Sequence, residues 1–311
     1  MSSQNTSIKV TEFIISGLDT SERPLVVGVV ILLVFILSVT ANIFNILVII
    51  YDKKLHKPMY LLICNLAFVD IIYTSSTCPT LIRILIAGVK SISYAPCQVH
   101  MFAFHLGEVM EMLILAVMAF DRLLAVGRPF QYNSYLTNKH TFFVTFILWI
   151  VGCGFVAVLP AIVIPLPHCS TVLKYAFCSF PSIIRTTCID PNYYFNLVAI
   201  ISFFFIFFTF IFICLSYVGI ILFVKLSSNN DKKKMGSTCF SHLISVTCYY
   251  CPTFIIIILT RLGLVLTLEA RNGLVIGSIL VPSVVNPFVY CLRTKEIKSR
   301  ITSLYKNVKE S

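Results

Sequence analysis

Charged side chains are scarce in this sequence. They make up 12% of its 311 residues, whereas roughly a quarter of the residues in a typical soluble domain are charged. Hydrophobic side chains account for 58%, and the mean hydropathy is +0.92. This composition excludes an ordinary soluble protein and leaves no room for a separate water-soluble catalytic domain, so we expect a membrane protein.

Other features are also absent. The 12 glycines and 13 prolines form no low-complexity tract, and no short repeat indicates a solenoid or a propeller. Neither Gly-x-Ser-x-Gly nor His-Glu-x-x-His occurs, so we expect no catalytic activity. A membrane transporter of a small polar solute is the alternative, because it would explain carboxylates inside the membrane. It is disfavoured because no broken helices occupy matching positions in two halves.

Apolar runs recur along the sequence, and each is long enough to cross a hydrocarbon core about 30 Å thick. They cover about 25–51, 59–86, 98–126, 141–164, 194–224, 235–260 and 270–292. We therefore predict an all-α membrane protein, a bundle of seven transmembrane helices over residues 25–292. An external segment, 1–24, precedes it, and a short basic tail, 293–311, is expected to form an amphipathic cytoplasmic helix.

Lys and Arg are distributed unequally between the two sides that seven spans define. Sixteen of the 24 lie in the loops and tail of one side, and eight lie on the other. The positive-inside rule then places the N-terminus outside and the C-terminus in the cytoplasm, as in a multi-pass plasma-membrane protein. The formal net charge of +11 reflects this topology, and there is no basic soluble module to bind nucleic acid.

The segment before the first span carries two further signals. Asn5 begins an Asn-x-Ser/Thr sequon on the side placed outside, where glycosylation takes place. The first 24 residues lack the charged and apolar regions of a cleaved signal, so the first span is expected to remain as an anchor.

Four of the 12 cysteines lie in or beside the outer loops, which is the oxidising side of a membrane. They are Cys97, Cys169, Cys178 and Cys188. Four cysteines allow three pairings, and their spacing does not choose among them. The other cysteines lie in or next to spans, where a reduced Cys is a small apolar packing residue.

Five local motifs occur in a fixed order along the spans. They are LHKPMY at Leu55–Tyr60, MAFDR at Met118–Arg122, SY at Ser216–Tyr217, STCFSHL at Ser237–Leu243 and PSVVNPFVYCLR at Pro282–Arg293. The chain resembles vertebrate olfactory receptors, a branch of the rhodopsin-like G-protein-coupled receptors, from about residue 25 to 300. It departs from their usual pattern at Ala41, Leu123 and Gly127. The MAFDR spelling and His105 resemble the class I branch, which is associated with polar, water-soluble odorants.

The resemblance implies a partner set and two disulfides. It implies an odorant receptor of the plasma membrane that activates a heterotrimeric G protein, of the stimulatory olfactory type that raises cyclic AMP. It also implies the pairings Cys97–Cys178 and Cys169–Cys188, the first of which would tie the top of the third span to the loop before the fifth.

A second group of residues is expected to act as the switch at the cytoplasmic end. Asp121 would hold Arg122 at rest and release it toward the G protein. The resemblance suggests that the hydroxyls of Tyr217 and Tyr290 stabilise the released Arg122. Pro287 interrupts the hydrogen bonding of the seventh span and gives it a kink, which allows two packings of similar energy.

Two carboxylates, Asp70 and Glu111, are predicted at the middle of the membrane. Buried there without partners, they cannot both stay ionised, so they share either a proton or a cation such as Na⁺, with Asn286 nearby. The two alternatives stay open. No other cofactor is expected.

Polar and apolar residues on spans three and six recur at helical spacing and predict a ligand cavity open to the outside. The candidate contacts are Phe104, His105, Glu108, Met112, Ser202, Tyr250, Thr253, Ile257 and Arg261. In the functional interpretation, Arg261 holds a carboxylate and Glu108 attracts an amine or, if protonated, donates a hydrogen bond. In the structural interpretation, Arg261 is a solvated loop-end cation and Glu108 only pairs with His105. We predict a small polar or zwitterionic odorant.

Overall fold

A computed structural model describes residues 8–20, 22–226, 229–261 and 266–293. Seven long helices occupy these ranges, and their positions match the seven apolar runs. They are α1 (Pro24–Tyr51), α2 (Pro58–Ala87), α3 (Tyr94–Gly127), α5 (Asn138–Val163), α7 (Asn192–Leu226), α8 (Asn229–Arg261) and α9 (Leu268–Arg293). Two short helices, α4 (Tyr132–Tyr135) and α6 (Phe180–Ile184), lie between them. The predicted sites at Asn5 and in the tail beyond Arg293 lie outside the described residues.

The helix ends follow from local sequence signals. Pro24 and Pro58 stand at the first turns of α1 and α2, where the missing N–H costs no helical hydrogen bond. The Thr137 side chain caps α5 by accepting a hydrogen bond from the His140 amide at 3.2 Å. Gly88 ends α2 with a φ of 69°, a left-handed conformation that glycine adopts without strain.

The distribution of polarity is the reverse of that in a soluble protein. Large apolar side chains point outward, among them Phe142 and Phe208, which are 62% and 65% exposed. Carboxylates point inward, and Asp70 and Glu111 are fully buried. Six of the long helices contain stretches long and apolar enough to cross a membrane. The remaining one, α3, lies inside the bundle, where it contacts α2, α5, α7 and α8. The molecule is therefore a multi-pass membrane protein whose outer surface faces lipid.

A small three-stranded sheet closes one end of the bundle, which we call the disulfide end. Its strands are β1 (Glu12–Ile15), β2 (Ser91–Ser93) and β3 (Val172–Leu173) in the order β2-β1-β3. β1 is antiparallel to β2, with Phe13 opposite Ile92, and parallel to β3, with Ile14 opposite Val172. The prediction of an all-α protein missed this sheet, whose strands of two to four residues are too short to give a clear alternating pattern.

The sheet places the chain before α1 over the bundle. Phe13 and Ile15 are fully buried in a cluster with Cys97 and Cys178, and Gly17 lies so close to the Tyr175 backbone that a Cβ would come within 2.2 Å of its carbonyl carbon. The segment that the sequence describes only as external is thus packed beneath the loop between α5 and α7. We call that loop, residues 164–191, the lid.

We predict that the contact between α2 and α3 tolerates no side chain at Gly107. A Cβ there would lie 2.7 Å from the Tyr73 side chain, whereas a Cβ at Gly154 on α5 would meet nothing within 4 Å. Gly107→Ala should therefore destabilise the purified receptor by about 1–3 kcal/mol. The control, Gly154→Ala, should be neutral or slightly stabilising, because alanine favours a helix. Equal melting temperatures for the two variants would contradict this packing.

Candidate functional site

Two disulfides fix the lid at the disulfide end. Cys97 at the start of α3 is bonded to Cys178, with a Cα–Cα distance of 5.5 Å, and Cys169 is bonded to Cys188, at 4.9 Å. These are the pairings that the family resemblance implies. The lid is consequently held both to α3 and to itself, above the predicted ligand residues.

Below the lid, both ring nitrogens of His105 form hydrogen bonds, one within α3 and one to the lid. Nδ1 lies 3.1 Å from Glu108 Oε2, and Nε2 accepts a hydrogen bond from the Phe180 amide at 3.2 Å. Phe104 packs beside it, with ring centroids 4.9 Å from His105 and 4.9 Å from Phe177 of the lid. The structure therefore brings Phe104, His105 and Glu108 together, as predicted.

Two adjacent tyrosines of α8, Tyr249 and Tyr250, contact different helices. Tyr250 donates a hydrogen bond to Thr209 of α7 at 2.9 Å, while Tyr249, which the sequence analysis did not select, donates to the Glu108 carbonyl oxygen at 2.9 Å. The Thr253 hydroxyl bonds to the Tyr249 carbonyl oxygen at 2.8 Å. The side chain that reaches α3 is thus the one directly before the predicted Tyr250.

The remaining ligand candidates differ in accessibility. Met112 is buried in the main core, and Ser202 and Ile257 are half-buried. The side chain of Arg261, at the end of α8, lies outside the described part of the chain. Two cavities, of about 480 and 380 Å³, lie elsewhere on the bundle. The larger is an apolar groove beside α7 that contains Ala116 and Thr209. Neither contains His105 or Glu108, so the outward cavity stays a prediction.

In the middle of the bundle, a hydrogen bond missing from α9 is replaced by α1. Pro287 has no N–H to donate to the Ser283 carbonyl four residues earlier. That carbonyl instead accepts from Asn42 Nδ2 at 2.9 Å and Ser38 Oγ at 3.1 Å. Asn45 Nδ2 bonds to the Pro287 carbonyl oxygen at 3.3 Å. The proline that was predicted to kink α9 is therefore also a docking point for α1.

Beside this contact lie the two predicted carboxylates. Asp70 accepts hydrogen bonds from Asn286 Nδ2 at 3.1 Å and from the Ser283 hydroxyl at 3.5 Å. Glu111 lies within electrostatic range of Asp70 and close to the Asn286 amide, yet neither of its carboxylate oxygens forms a well-aligned hydrogen bond with the described residues, and neither does Asn286 Oδ1. Unpaired oxygens in a buried site fit a hard cation, which oxygen ligands bind, as well as they fit a shared proton.

At the end opposite the lid, Arg122 is held by its neighbour. Its Nε donates to Asp121 Oδ2 at 2.9 Å, and its Nη2 donates to the same oxygen. The Tyr132 hydroxyl of α4 donates to Asp121 Oδ1 at 2.6 Å. Burial, and then the nearby Asp121 charge, raise the pKa of Tyr132 far above its usual value, so Tyr132 remains a donor. Tyr132 was not predicted from the sequence, because only the path of the chain after α3 brings it to Asp121.

A further set of polar contacts joins α3, α7 and α8. His242 is fully buried, and its Nε2 donates to the Leu115 carbonyl oxygen at 3.0 Å. The Tyr217 hydroxyl lies 2.8 Å from His242 Nδ1 and 2.9 Å from the Cys239 carbonyl oxygen. His242 was predicted only as part of the STCFSHL motif, although a histidine in an apolar span is itself a signal of function.

Comparisons with known proteins agree with this geometry. A family described as olfactory receptor matches residues 31–308. Human olfactory receptor 4E1 is 31% identical over 304 residues, which cover 96% of this chain and 95% of that protein. Human olfactory receptor 2L8 is 32% identical over 302 residues, 96% of each chain.

The helical bundle, the disulfide-linked lid and the Asp121–Arg122 pair define a membrane receptor of the rhodopsin-like class. The chain belongs to the olfactory receptor family. The members of this family are receptors and are not enzymes.

We predict that the lid is held down through His105. In His105→Phe, the Phe180 amide loses its acceptor, so hydrogen–deuterium exchange of a lid peptide containing Phe180 should be about fivefold faster or more, as expected for about 1 kcal/mol. The matched control is His100→Phe on the same helix, which removes a 3.2 Å contact with Thr80 and should leave that peptide unchanged. Equal exchange in both variants would show that the lid does not depend on His105.

Proposed function

We propose that this chain is an odorant receptor of the plasma membrane with seven spanning helices, its N-terminus outside and its C-terminus in the cytoplasm. It binds a small polar ligand in an outward-facing cavity and activates a heterotrimeric G protein of the stimulatory olfactory type, which raises cyclic AMP. The proposed architecture keeps residues 1–24 outside, 25–292 as the receptor domain and 293–311 as a cytoplasmic amphipathic tail. Glycosylation at Asn5 stays a prediction.

One observation carries this proposal. The single central helix α3 bears the partly exposed His105–Glu108 pair under the lid and the held Asp121–Arg122 pair at its other end. Glu108 and Arg122 are separated by about 21 Å along the helix axis, at 1.5 Å per residue. A ligand at one end and a G protein at the other would therefore act on the same rigid element.

In the resting arrangement, Arg122 is engaged by Asp121, and Asp121 is engaged by Tyr132. Tyr217, His242 and Tyr290 lie within electrostatic range of Arg122. A ligand that binds the active arrangement more tightly shifts the equilibrium toward it. Arg122 then leaves Asp121 for the hydroxyls of Tyr217 and Tyr290, and the space between α3, α7 and α8 opens for the G protein.

The function is tested by measuring cyclic AMP in transfected cells exposed to acids, amines, amino acids and alcohols. We expect at least one class to raise cyclic AMP without being taken up by the cells, and Arg122→Ala to abolish the rise at equal surface expression. Ligand uptake without a cyclic AMP response would contradict the proposal and favour a transporter.

The same assay has a matched pair of variants in the short helix α4. Tyr132→Phe removes the hydrogen bond to Asp121 and should raise ligand-independent cyclic AMP. Tyr135→Phe removes only a 3.3 Å hydrogen bond from the exposed Arg128 and should leave the basal signal unchanged. Equal basal signals would show that Tyr132 does not hold the resting state.

We further propose that Asp70, Glu111 and Asn286 hold Na⁺ in the resting receptor. The unpaired oxygens of Glu111 and Asn286 support this assignment, because a cation would satisfy them where no protein donor does. When bound, the ion supplies positive charge between the two carboxylates.

The Na⁺ proposal predicts a salt-specific effect on stability. NaCl should stabilise the purified receptor relative to choline chloride of equal ionic strength, by about 1.4 kcal/mol when Na⁺ is about tenfold above its Kd. Asp70→Asn should abolish this difference. Equal melting temperatures of the unmodified receptor in the two salts would instead favour a shared proton.

A further inference from the structure

We propose that the ligand of this receptor carries a protonated primary amine, and that the amine binds the Glu108 carboxylate below the lid. The inference rests on the proposed function, because it assumes that the region around His105 and Glu108 is the ligand site. It names one chemical class where the sequence left acids, amines and zwitterions open.

The hydrogen bonds of His105 determine which of its ring nitrogens carries the proton. A backbone amide can only donate, so the Phe180 N–H requires a free lone pair on His105 Nε2, 3.2 Å away. The ring proton is therefore on Nδ1, where it is donated to Glu108 Oε2 at 3.1 Å. In this arrangement the His105 ring carries one proton and no charge, so it does not neutralise the Glu108 carboxylate.

The Glu108 carboxylate is accessible to a ligand. The Glu108 side chain is 35% exposed, although α3 is enclosed by α2, α5, α7 and α8. Its other oxygen, Oε1, accepts no hydrogen bond from the described residues. His105 and Glu108 share a helical face with Met112 and Ala116, at spacings of three and four residues, and Ala116 borders α7. The exposure of the Glu108 side chain thus leaves an unsatisfied carboxylate oxygen within reach of a ligand.

The charged groups around Glu108 are also negative. Glu111 lies one turn below Glu108, and both interact electrostatically with each other. Glu111 is completely buried, and neither of its oxygens forms a well-aligned hydrogen bond with the part of the chain that the structure describes. Among the described side chains, no Lys or Arg forms an ion pair with Asp70, Glu108 or Glu111. This column of carboxylates attracts a cation and repels an anionic ligand.

Hydrogen-bond acceptors and aromatic rings near Glu108 also suit an ammonium. An ammonium has three donors and no acceptor, so it can donate to Glu108 Oε1 and to the other oxygen acceptors nearby. The Tyr249 proton is already donated to the Glu108 carbonyl oxygen, which leaves its phenolic oxygen to accept. Tyr73 and Tyr249 lie within electrostatic range of Glu108, and Phe104 packs on Tyr73 with centroids 5.4 Å apart. Such rings also favour an ammonium, while Phe104 and Ile257 offer apolar contacts to its carbon chain.

The test compares straight-chain primary amines with alcohols and carboxylic acids of the same chain lengths, in the cyclic AMP assay on the full chain. We expect the amines to be the most potent class. Glu108→Gln should weaken amine potency by about ten- to a hundredfold, as for a hydrogen bond to a charged group, and alcohol potency by much less. Glu108→Asp keeps the charge and should retain part of the amine response.

The control is Glu269→Gln, which removes an exposed carboxylate in the first turn of α9 and should not change amine potency. All variants are compared at equal surface expression. Amines that are inactive while acids or alcohols signal, or amine potency that is unchanged in Glu108→Gln, would overturn the inference and leave the proposed function standing.

A binding measurement separates the two proposals. Amines should raise the melting temperature of the purified receptor, and Glu108→Gln should remove this rise. No stabilisation by any amine would overturn the inference, whatever the signalling result. Stabilisation by amines without cyclic AMP signalling by any compound class would instead count against the proposed function and leave the amine site in place.

Discussion

The need to satisfy polar groups without water governs this bundle. Its outer surface is apolar and faces lipid, so polar groups placed inside are satisfied by other protein groups, many of them on neighbouring helices. The Ser283 carbonyl, which Pro287 leaves free, is bonded by Asn42 and Ser38 of α1. Asp70 of α2 is bonded by Asn286 and Ser283 of the same α9. Three helices are therefore joined at one depth, beside one proline.

The same constraint makes unsatisfied groups informative. A buried oxygen or nitrogen without a hydrogen-bond partner can be satisfied by a proton, an ion or a ligand. Among the described residues, neither oxygen of the fully buried Glu111 forms a well-aligned hydrogen bond, and Glu108 has one free oxygen in an accessible position. The two lie one turn apart on α3, yet one is suited to an internal ion and the other to a ligand, because only Glu108 can be reached from outside the bundle.

Much of the fold was accessible from the sequence, because each apolar run is a local property that needs no knowledge of its neighbours. The residues that were missed depend on distant contacts. Tyr132 acquires its role only because the chain after α3 turns back to Asp121, and Tyr249 replaces Tyr250 at α3 because of the rotation of α8. The strands of the small sheet come from three separate regions and have only two to four residues each. No local pattern reports such pairings.

The position of β1 has a consequence for biosynthesis. This strand is made before any of the long helices, but β2 and β3, its two partners in the sheet, follow α2 and α5 along the chain. The backbone just beyond β1 gains its partner even later, since the Gly17 carbonyl accepts a hydrogen bond at 2.6 Å from Asn272 of α9. An early segment thus completes its contacts only after the last helix has been inserted. The segment around β1 can accordingly be fully docked only in a receptor whose helices have all been assembled.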